Sequence, residues 1–432
     1  MTDVLVCGAG VAGLSAACAL GSLGLRVLVV DKAPGIRPVA KGEVFQPSAL
    51  PALQEWGVLS RLDDHGALRL SRLVTRDELG GPLLAIDYRD LPEGSRHLLA
   101  QDYPGILRAL TAGLPATVEL RRATVVTELT GNGGRIDGAW LKEDGRPYRV
   151  RAGLVVAADG VSSALRKQVR IAGYRRAYPH RLATFEVAGT AADAFTAYRS
   201  PRGLRLVYPL PGHRVRVYAQ VEPDELRGDA RRWYRGLAAD VPALDWLADA
   251  VPARPRRPQS LPVSRFLADR LIAPGLALAG DAAHVVHPMA AQGLGCAVAD
   301  AQVLAALIAE QWDGAGDFAA AVDRALPAYQ ADRMPALVHN QRMSHRAARL
   351  ITNTSPIVAR ISGRALRRTA ADPRLVHLMA YNLAGLGIRP FSAADRLRQF
   401  GLLPRERQRP DHRAGSQAVS DSASSSGWSS GV

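Results

Sequence analysis

The chain of 432 residues is long enough to bury a sizeable core and is expected to fold as two closely joined domains. Its formal net charge of +15 is carried almost entirely by arginine, because the chain has four lysines. Three cysteines lie in apolar stretches without the spacing of a metal site or a disulfide framework, namely Cys7, Cys18 and Cys296. With no signal-peptide pattern and no uninterrupted apolar run of about 18 residues, the composition excludes secreted scaffolds and spanning proteins and predicts a cytoplasmic protein without a metal.

The first 31 residues predict a strand–helix–strand unit, with strands at residues 4–7 and 26–30 and a helix at residues 14–23. Between the first strand and the helix stands a G-x-G-x-x-G pattern made by Gly8, Gly10 and Gly13. Such glycines permit a tight turn, the approach of a pyrophosphate, and close packing of helix on strand. Asp31 follows the second strand, where an acid can accept a ribose hydroxyl hydrogen bond. The unit predicts dinucleotide binding, does not separate FAD from NAD, and leaves a ligand-free tight turn as the alternative.

A second pattern, at residues 154–166, reads as a strand that breaks at Asp159-Gly160 and enters a helix capped by Ser162 or Ser163. A capped helix without further role explains this pattern equally well.

The third pattern lies at residues 278–301 and contains Gly280-Asp281, the pair His287-Pro288, a small-residue loop and an apolar helix at residues 296–310. A loop that opens a helix presents free backbone N–H groups and the positive end of the helix dipole. We therefore expect an electron-rich or anionic group at this loop.

In this order, the three patterns resemble those of the class A flavoprotein monooxygenases, single-component FAD enzymes similar to para-hydroxybenzoate hydroxylase, over roughly residues 1–330. The resemblance implies an α/β fold: a Rossmann-type, GR2-like FAD-binding domain with an inserted antiparallel β-sheet substrate domain and a C-terminal helical segment. Asp31 would meet the adenosine ribose, Asp281 the ribityl or phosphate part, and Pro288 the isoalloxazine. The implied cofactor-binding residues are Gly8, Gly10, Val11, Ala12, Gly13, Asp31, Lys32, Lys41, Gln101, Val125, Asp159, Gly160, Gly280, Asp281, Pro288, Gln292, Gly293 and Leu294.

The chain departs from the family pattern at three places. Lys41 stands where members often have arginine, and a lysine lacks the bidentate fork of a guanidinium. Ala291 replaces a glycine and Gly295 an asparagine of the loop over the flavin, and alanine is restricted in φ. Gln101 stands where members carry a flavin-contacting polar residue, with a solvated loop glutamine as the alternative.

The predicted layout is discontinuous. The FAD-binding domain takes residues 1–68, 100–178 and 262–330, the substrate-binding sheet 69–99 and 179–261, a basic helical segment 331–413, and a disordered tail 414–432. Strands at residues 204–209 and 214–221 predict a hairpin around Pro211-Gly212. By the resemblance this sheet covers the substrate, so Tyr208, Pro209 and Tyr218 are substrate-side candidates, with ordinary sheet packing as the alternative.

Residues 332–413 hold sixteen arginines against five acidic residues, and residues 375–388 are unusually apolar. This combination favours either a solvated helical lobe or peripheral contact with an anionic membrane surface. Nucleic-acid binding is not expected, because no aromatic or helix–turn–helix pattern accompanies the charge. His284 and His287 are candidates for proton transfer, although a structural role is favoured for His284, and no protein residue is assigned to catalysis.

The resemblance implies that NADH or NADPH reduces FAD and that O2 forms a flavin C4a-hydroperoxide, which hydroxylates or epoxidises the substrate. Residues 42–47 read GEVFQP, similar to a run in members that epoxidise isoprenoid chains, which favours a lipophilic substrate: a prenylated aromatic, quinolone, quinone or terpenoid of secondary metabolism. The alternatives are an isoprenoid reductase, a halogenase, whose W-x-W-x-I-P motif is absent from the sequence, and a non-catalytic flavin-loaded binding protein.

Overall fold

The computed structural model describes residues 2–189, 193–252 and 257–404. The predicted tail at 414–432 lies outside the described residues. The strands are β1 Val4–Cys7, β2 Val27–Val30, β3 Val44–Phe45, β4 Leu68–Leu70, β5 Arg72–Arg76, β6 Pro82–Asp87, β7 Leu98–Ala100, β8 Val118–Arg121, β9 Thr124–Asn132, β10 Arg135–Glu143, β11 Arg146–Arg151, β12 Leu154–Ala157, β13 Gly173–Ala188, β14 Phe195–Ser200, β15 Gly203–Leu210, β16 Arg214–Val221, β17 Gln259–Ala268, β18 Ile272–Ala273, β19 Leu276–Leu278 and β20 His284–Val285. The α-helices are α1 Val11–Gly21, α2 Leu50–Glu55, α3 Val58–Asp64, α4 Tyr103–Ala112, α5 Ala164–Gln168, α6 Ala230–Asp240, α7 Leu247–Ala250, α8 Gly293–Gln311, α9 Phe318–Thr352, α10 Pro356–Ala370, α11 Pro373–Leu383 and α12 Ala393–Phe400.

A six-stranded sheet holds the first and third sequence patterns, in the order β18-β19-β12-β1-β2-β8. Its strands are parallel except β18, which runs antiparallel to β19. Every residue of β1, β2 and β12 is buried, as expected of a parallel strand covered on both faces. The predicted strand–helix–strand unit is confirmed, although α1 begins at Val11, three residues before the predicted start, with Gly10 as its cap residue and no side-chain cap bond.

An eight-stranded sheet has the order β20-β17-β13-β16-β15-β14-β5-β6, antiparallel except for the β14–β5 pair. The predicted hairpin is confirmed, since β15 and β16 pair directly and Gly212 and His213 take positive φ angles in the turn. One face of this sheet packs on α6 and α7 through Phe185, Val217 and Tyr234. The opposite face packs on the C-terminal helices.

The 35-residue helix α9 joins the two sheets. Its N-terminal half contributes Val322 and Tyr329 to the core of the six-stranded sheet, and its C-terminal half contributes Ile351 to the core under the eight-stranded sheet. The boundary predicted at residue 330 falls inside this helix. A sequence-based division between an FAD-binding part and a basic C-terminal part therefore cuts through one continuous element, which contains Pro327 and Pro335.

In the described part of the chain, α8 is the one helix whose length and apolar composition would allow it to span a membrane. Half of its apolar stretch is buried in the protein. It packs between α1 and α9, so its apolar character serves the core.

Candidate functional site

The glycine loop after β1 is closed on two sides and open on the third. A Cβ on Gly8 would lie 2.4 Å from the Ala158 carbonyl oxygen, and one on Gly13 would lie 1.8 Å from the Gly8 oxygen. A Cβ on Gly10 would meet just the Tyr103 hydroxyl, at 3.6 Å. Since α1 starts at Gly10 without a side-chain cap, its first N–H groups face this open side, which suits a phosphate.

Asp31 stands beside that loop at the end of β2. Its Oδ2 accepts a hydrogen bond from the Ala9 amide at 2.7 Å, and its Oδ1 accepts one from the Ala33 amide at 2.7 Å. Each oxygen keeps a further lone pair for a ribose hydroxyl. Lys32 is exposed next to Asp31, and Val125 is exposed on β9, next to Thr124, whose amide donates to the Asp31 carbonyl.

Asp159 and Gly160 form the turn between β12 and α5. The Asp159 carboxylate accepts from the Ser163 hydroxyl at 2.6 Å and from the Leu165 amide at 3.2 Å, and Ser163 caps the helix by accepting from the Arg166 amide. The capped helix is thus confirmed, with Ser163 as the cap. Contact between Asp159 and a nucleotide remains a prediction, and Gly8 lies against this turn.

Asp281 is paired with Lys41 near Tyr103, whose hydroxyl also faces Gly10, and we call the surface from Gly10 to Asp281 and the start of α8 the groove. The Lys41 Nζ stands 2.8 Å from Asp281 Oδ2, and this carboxylate raises the pKa of Lys41 even though burial opposes the shift. Burial raises the pKa of Tyr103, which lies between Lys41, Asp281 and Asp31. Tyr103, at the start of α4 beside Gly10, was not predicted from the sequence; its position directly after the helix cap Asp102 was the available signal.

The Gly280-Asp281 turn is held from behind by a buried charged cluster. Asp300 accepts from the Gly280 amide at 2.9 Å, from His284 Nε2 at 2.7 Å and from Arg333 Nε at 2.8 Å. Although burial raises the pKa of Asp300, its neighbours His284 and Arg333 outweigh this effect and lower the pKa. Gly280 packs on Ala12, where a Cβ would lie 2.5 Å from the alanine Cβ. This arrangement gives His284 the structural role that its motif predicts.

In the loop after His287, Ala291 takes a backbone conformation that glycine favours. Pro288–Ala290 is a turn of 3-10 helix, and Ala291 takes the left-handed conformation with φ 50° and ψ 35°. The Ala290 carbonyl accepts from both Gln46 and Gln292, at 3.0 and 3.1 Å. Ala291 thus adopts a left-handed conformation that is strained for alanine, and the two glutamine amides on the neighbouring Ala290 carbonyl hold the loop in place.

The N-terminus of α8 follows this loop at Gly293, with Gln292 as its cap residue and no side-chain cap bond. Leu294 packs beside Gly42, 3.1 Å from where a Cβ would stand. A Cβ on Gly295 would lie 3.9 Å from both Gln46 and Ser48, an ordinary van der Waals distance, so position 295 faces the segment that follows Lys41.

Glu43 and Arg216 form a buried ion pair between β3 and the large sheet. Arg216 donates through Nε and Nη2 to the two Glu43 oxygens at 2.9 and 2.8 Å, and the Tyr208 hydroxyl donates to Glu43 at 2.8 Å. Burial raises the pKa of Glu43, with Arg216 opposing the shift. Tyr208 stacks between Phe195 and Tyr218. The polar residues of the GEVFQP run, Glu43 and Gln46, therefore act as anchors.

His287 is fully buried before Pro288 and bonds His180 ring to ring, at 3.2 Å between the Nε2 atoms. Its Nδ1 accepts from the Met289 amide, so its proton lies on Nε2 and His180 accepts it. Burial lowers the pKa of His180 to about 4, and burial together with neighbouring His180 and His345 lowers that of His287 to about 3. The pair is neutral near pH 7 and pins the loop.

Both ends of the buried Gln101 amide bond the protein backbone, at the His65 carbonyl and the Asp102 amide. Its contact with a flavin stays a prediction.

A cavity of about 500 Å³ lies between the large sheet and the C-terminal helices, and Met289 and Ala290 of the loop after His287 form part of its wall. Its sheet side comes from β5, β6 and β14, including Leu84 and Phe195, and its other side from α9 to α12. Tyr208, Pro209 and Tyr218 do not line it; the tyrosine hydroxyls lie in the cluster around Glu43. Their contact with substrate stays a prediction without support from this cavity.

The C-terminal wall is what sequence reasoning missed. The apolar run at residues 375–388 turns Met379, Leu383 and Ile388 toward the cavity, and α9 presents Val338, Met343 and others at helical spacing. The helical spacing of these apolar residues was visible in the sequence, but the sheet face that they pack over was not.

A family profile described as an FAD binding domain matches residues 1–343. The chain is 27% identical over 412 residues to 6-methylpretetramide 4-monooxygenase of Streptomyces rimosus, covering 90% of this chain and 94% of that one. It is 29% identical over 426 residues to ubiquinone hydroxylase UbiL of Rhodospirillum rubrum, covering 90% and 92%. The crystal structure of Pseudomonas aeruginosa PqsL in complex with 2-aminobenzoylacetate superposes with a TM-score of 0.72 at 26% identity, covering 83% and 98%.

Proposed function

Because the chain belongs to the FAD-dependent monooxygenases of the para-hydroxybenzoate hydroxylase-like family, we propose that it uses NADH or NADPH and O2 to hydroxylate or epoxidise a lipophilic small molecule. The observation that carries the proposal is the largely apolar cavity, which shares Met289 and Ala290 with the loop between Pro288 and α8. A cavity of this size suits a small organic substrate.

The groove from Gly10 to α8 fits FAD by its own chemistry. It offers the open backbone at Gly10 for a pyrophosphate, Asp31 for a ribose hydroxyl, and the Lys41–Asp281 pair for the polar chain between phosphate and ring. The uncapped N-terminus of α8 would stabilise negative charge on the ring. Bound FAD would supply electron transfer from NAD(P)H and the activation of O2.

In this proposal the protein positions the substrate and excludes water from the cavity. The apolar walls of the cavity would hold the substrate against Met289 and Ala290 and exclude water. The Glu43–Arg216 pair, Gln46 and the His180–His287 pair would keep the loop that they support at a constant position between the cavity and the groove. No side chain is assigned to proton transfer.

The test is turnover with a panel of lipophilic and aromatic compounds. The purified protein should be yellow, one compound should accelerate NAD(P)H consumption, and its product should gain one oxygen atom derived from labelled O2. Ala347→Phe, which fills the cavity from α9, should suppress this acceleration, whereas Ala328→Phe on the exposed side of the same helix should not.

The same assay separates the alternatives. A product that gains hydrogen without oxygen would identify a reductase, a product that gains a halogen would identify a halogenase, and bound FAD without NAD(P)H consumption would identify a binding protein; each result would refute the monooxygenase proposal.

Peripheral membrane contact is a separate prediction. Its support is an exposed set of apolar side chains on α10 and beyond α12 among arginines, namely Ile357, Ile361, Leu402 and Leu403.

A further inference from the structure

The rim of the apolar cavity carries positive charge that the proposed reaction does not explain. Arg342 and Arg346 stand one turn apart on the cavity side of α9, and Arg396 lines the same cavity from α12. Arg342 and Arg346 are exposed and Arg396 is half-buried, which places the cluster where the cavity meets solvent. No Asp or Glu lines the cavity in the described residues.

None of these three guanidinium groups forms an ion pair within the described ranges, although Asp395 is near enough to Arg396 to raise its pKa against the stronger effect of burial. Elsewhere on the same helix, Arg333 pairs with Asp300 at 2.8 Å. Arg396 instead donates to the neutral Gln399 at 3.2 Å and stacks over Phe391 at 4.7 Å, and neither Arg342 nor Arg346 forms an ion pair there. Burial and the nearby Arg346 lower the pKa of Arg396.

His339 belongs to the same group. It lines the cavity from α9, one turn before Arg342, and its Nε2 is buried without a hydrogen-bond partner among the described residues. Burial, together with Arg346 and Arg342, lowers the pKa of His339 even though Asn382 opposes the shift. Three guanidinium groups thus lie at the rim of the cavity beside this histidine, and a bound anion would stabilise them through charge-assisted hydrogen bonds.

Away from these charged residues the cavity wall is largely apolar, which disfavours a small, fully polar anion. Leu84, Phe195, Met379 and Leu383 face the cavity together with Met289, so an occupant must bury an apolar body as well as carry charge. A guanidinium matches the two oxygens of a carboxylate in a bidentate pair.

We propose that the cavity selects a lipophilic carboxylate, whose anionic group binds Arg342, Arg346 and Arg396 while its apolar body reaches toward Met289 and Ala290. The inference rests on the proposed function in taking this cavity for the substrate site, but the recognition itself needs no turnover.

The test is calorimetric binding of decanoate and of decanamide, its neutral near-isostere, to the FAD-loaded full chain at low salt. Wild type should bind decanoate at least about tenfold more tightly than decanamide, and added salt should reduce that preference. Arg396→Gln should lower the affinity for decanoate by about tenfold. Arg342→Gln and Arg346→Gln, at exposed positions, should lower it by about threefold each, and none of the three should change the affinity for decanamide. Arg349→Gln, on α9 but outside the cavity, is the matched control.

Equal affinity of wild type for both probes, the absence of decanoate binding, or equal weakening of both probes in the variants would overturn the inference. Retained FAD content and melting temperature in each variant exclude misfolding as the cause of a loss. Arginine-dependent binding of decanoate without any NAD(P)H-dependent oxygenation in the compound panel would support this inference and refute the proposed function, so the two failures are distinguishable.

Discussion

Replacing Arg216 with methionine tests whether the Glu43–Arg216 pair stabilises the fold. The Glu43 side chain is 0% exposed, and the substitution removes two of its three donors, leaving the Tyr208 hydroxyl. Stranding one partner of a buried ion pair costs about 3–5 kcal/mol. At about 2.1 cal/mol/K per residue, the unfolding entropy of a chain of this length converts that loss into a melting temperature lower by about 3–6 °C.

Thermal unfolding followed by circular dichroism, with FAD content held equal, measures the loss. The double variant Glu43→Gln/Arg216→Met removes both charges and keeps a partner for Tyr208, so it should recover at least about half of the loss. Arg227→Met, from an exposed pair with Asp224, is the control and should leave the melting temperature nearly unchanged. A loss below about 1 °C for Arg216→Met, or a double variant no more stable than the single one, would refute the reasoning.

Three further predictions concern the loop and groove. Asp281→Ala should remove the partner of Lys41 and lower FAD retention after dialysis by about tenfold or more, measured by absorbance, and undiminished FAD would refute the assignment of Asp281. Ala291→Gly should leave FAD content unchanged and raise the free energy of unfolding by up to about 1 kcal/mol, because it removes left-handed strain; a lower stability in urea would count against this. Burial lowers the pKa of His180 to about 4 and that of His287 to about 3, so the unfolded chain binds their protons first on acidification. Their stabilisation is complete above about pH 6.5 and is lost by about 1.4 kcal/mol per pH unit for each histidine, down to about pH 4 for His180 and about pH 3 for His287. His180→Gln should therefore flatten the fall in stability over this window in a pH series of melting curves, and an unchanged fall would count against the assignment.

Local patterns predicted the loops and the helix start that form the candidate site. Contacts with nearby backbone explain the residue types at three places: the glycines after β1, the acid after β2 and the small residues before α8. Because these contacts are local, the spacing of the residues in the sequence is enough to predict them. The cap at Ser163 and the turn at Gly212 are of the same kind.

Contacts between distant segments were not predictable. Arg216 meets Glu43 across 173 positions, and Arg333 meets Asp300 from another helix. Tyr208 is a substrate-side candidate because the resemblance places its sheet over the substrate, and that contact stays a prediction. The bond from its hydroxyl to Glu43 joins segments 165 positions apart, and no periodicity in the sequence indicates it. The apolar and basic pattern of the C-terminal residues was visible in the sequence, where it favoured either a solvated helical lobe or a membrane-binding surface, but the cavity that these residues line was not.

The continuity of α9 limits how this chain can be recombined with its relatives. Exchanging the C-terminal helices is a natural way to graft a new substrate preference, yet Arg333 secures the turn that carries Asp281, and Ser344 bonds the His287 carbonyl from the same helix. A chimera joined at residue 330 would place a foreign residue at position 333, behind the turn that carries Asp281. A junction after Ser344 would keep both of these native contacts. It would exchange the last part of α9, together with all of α10 to α12, for the corresponding segment of the relative.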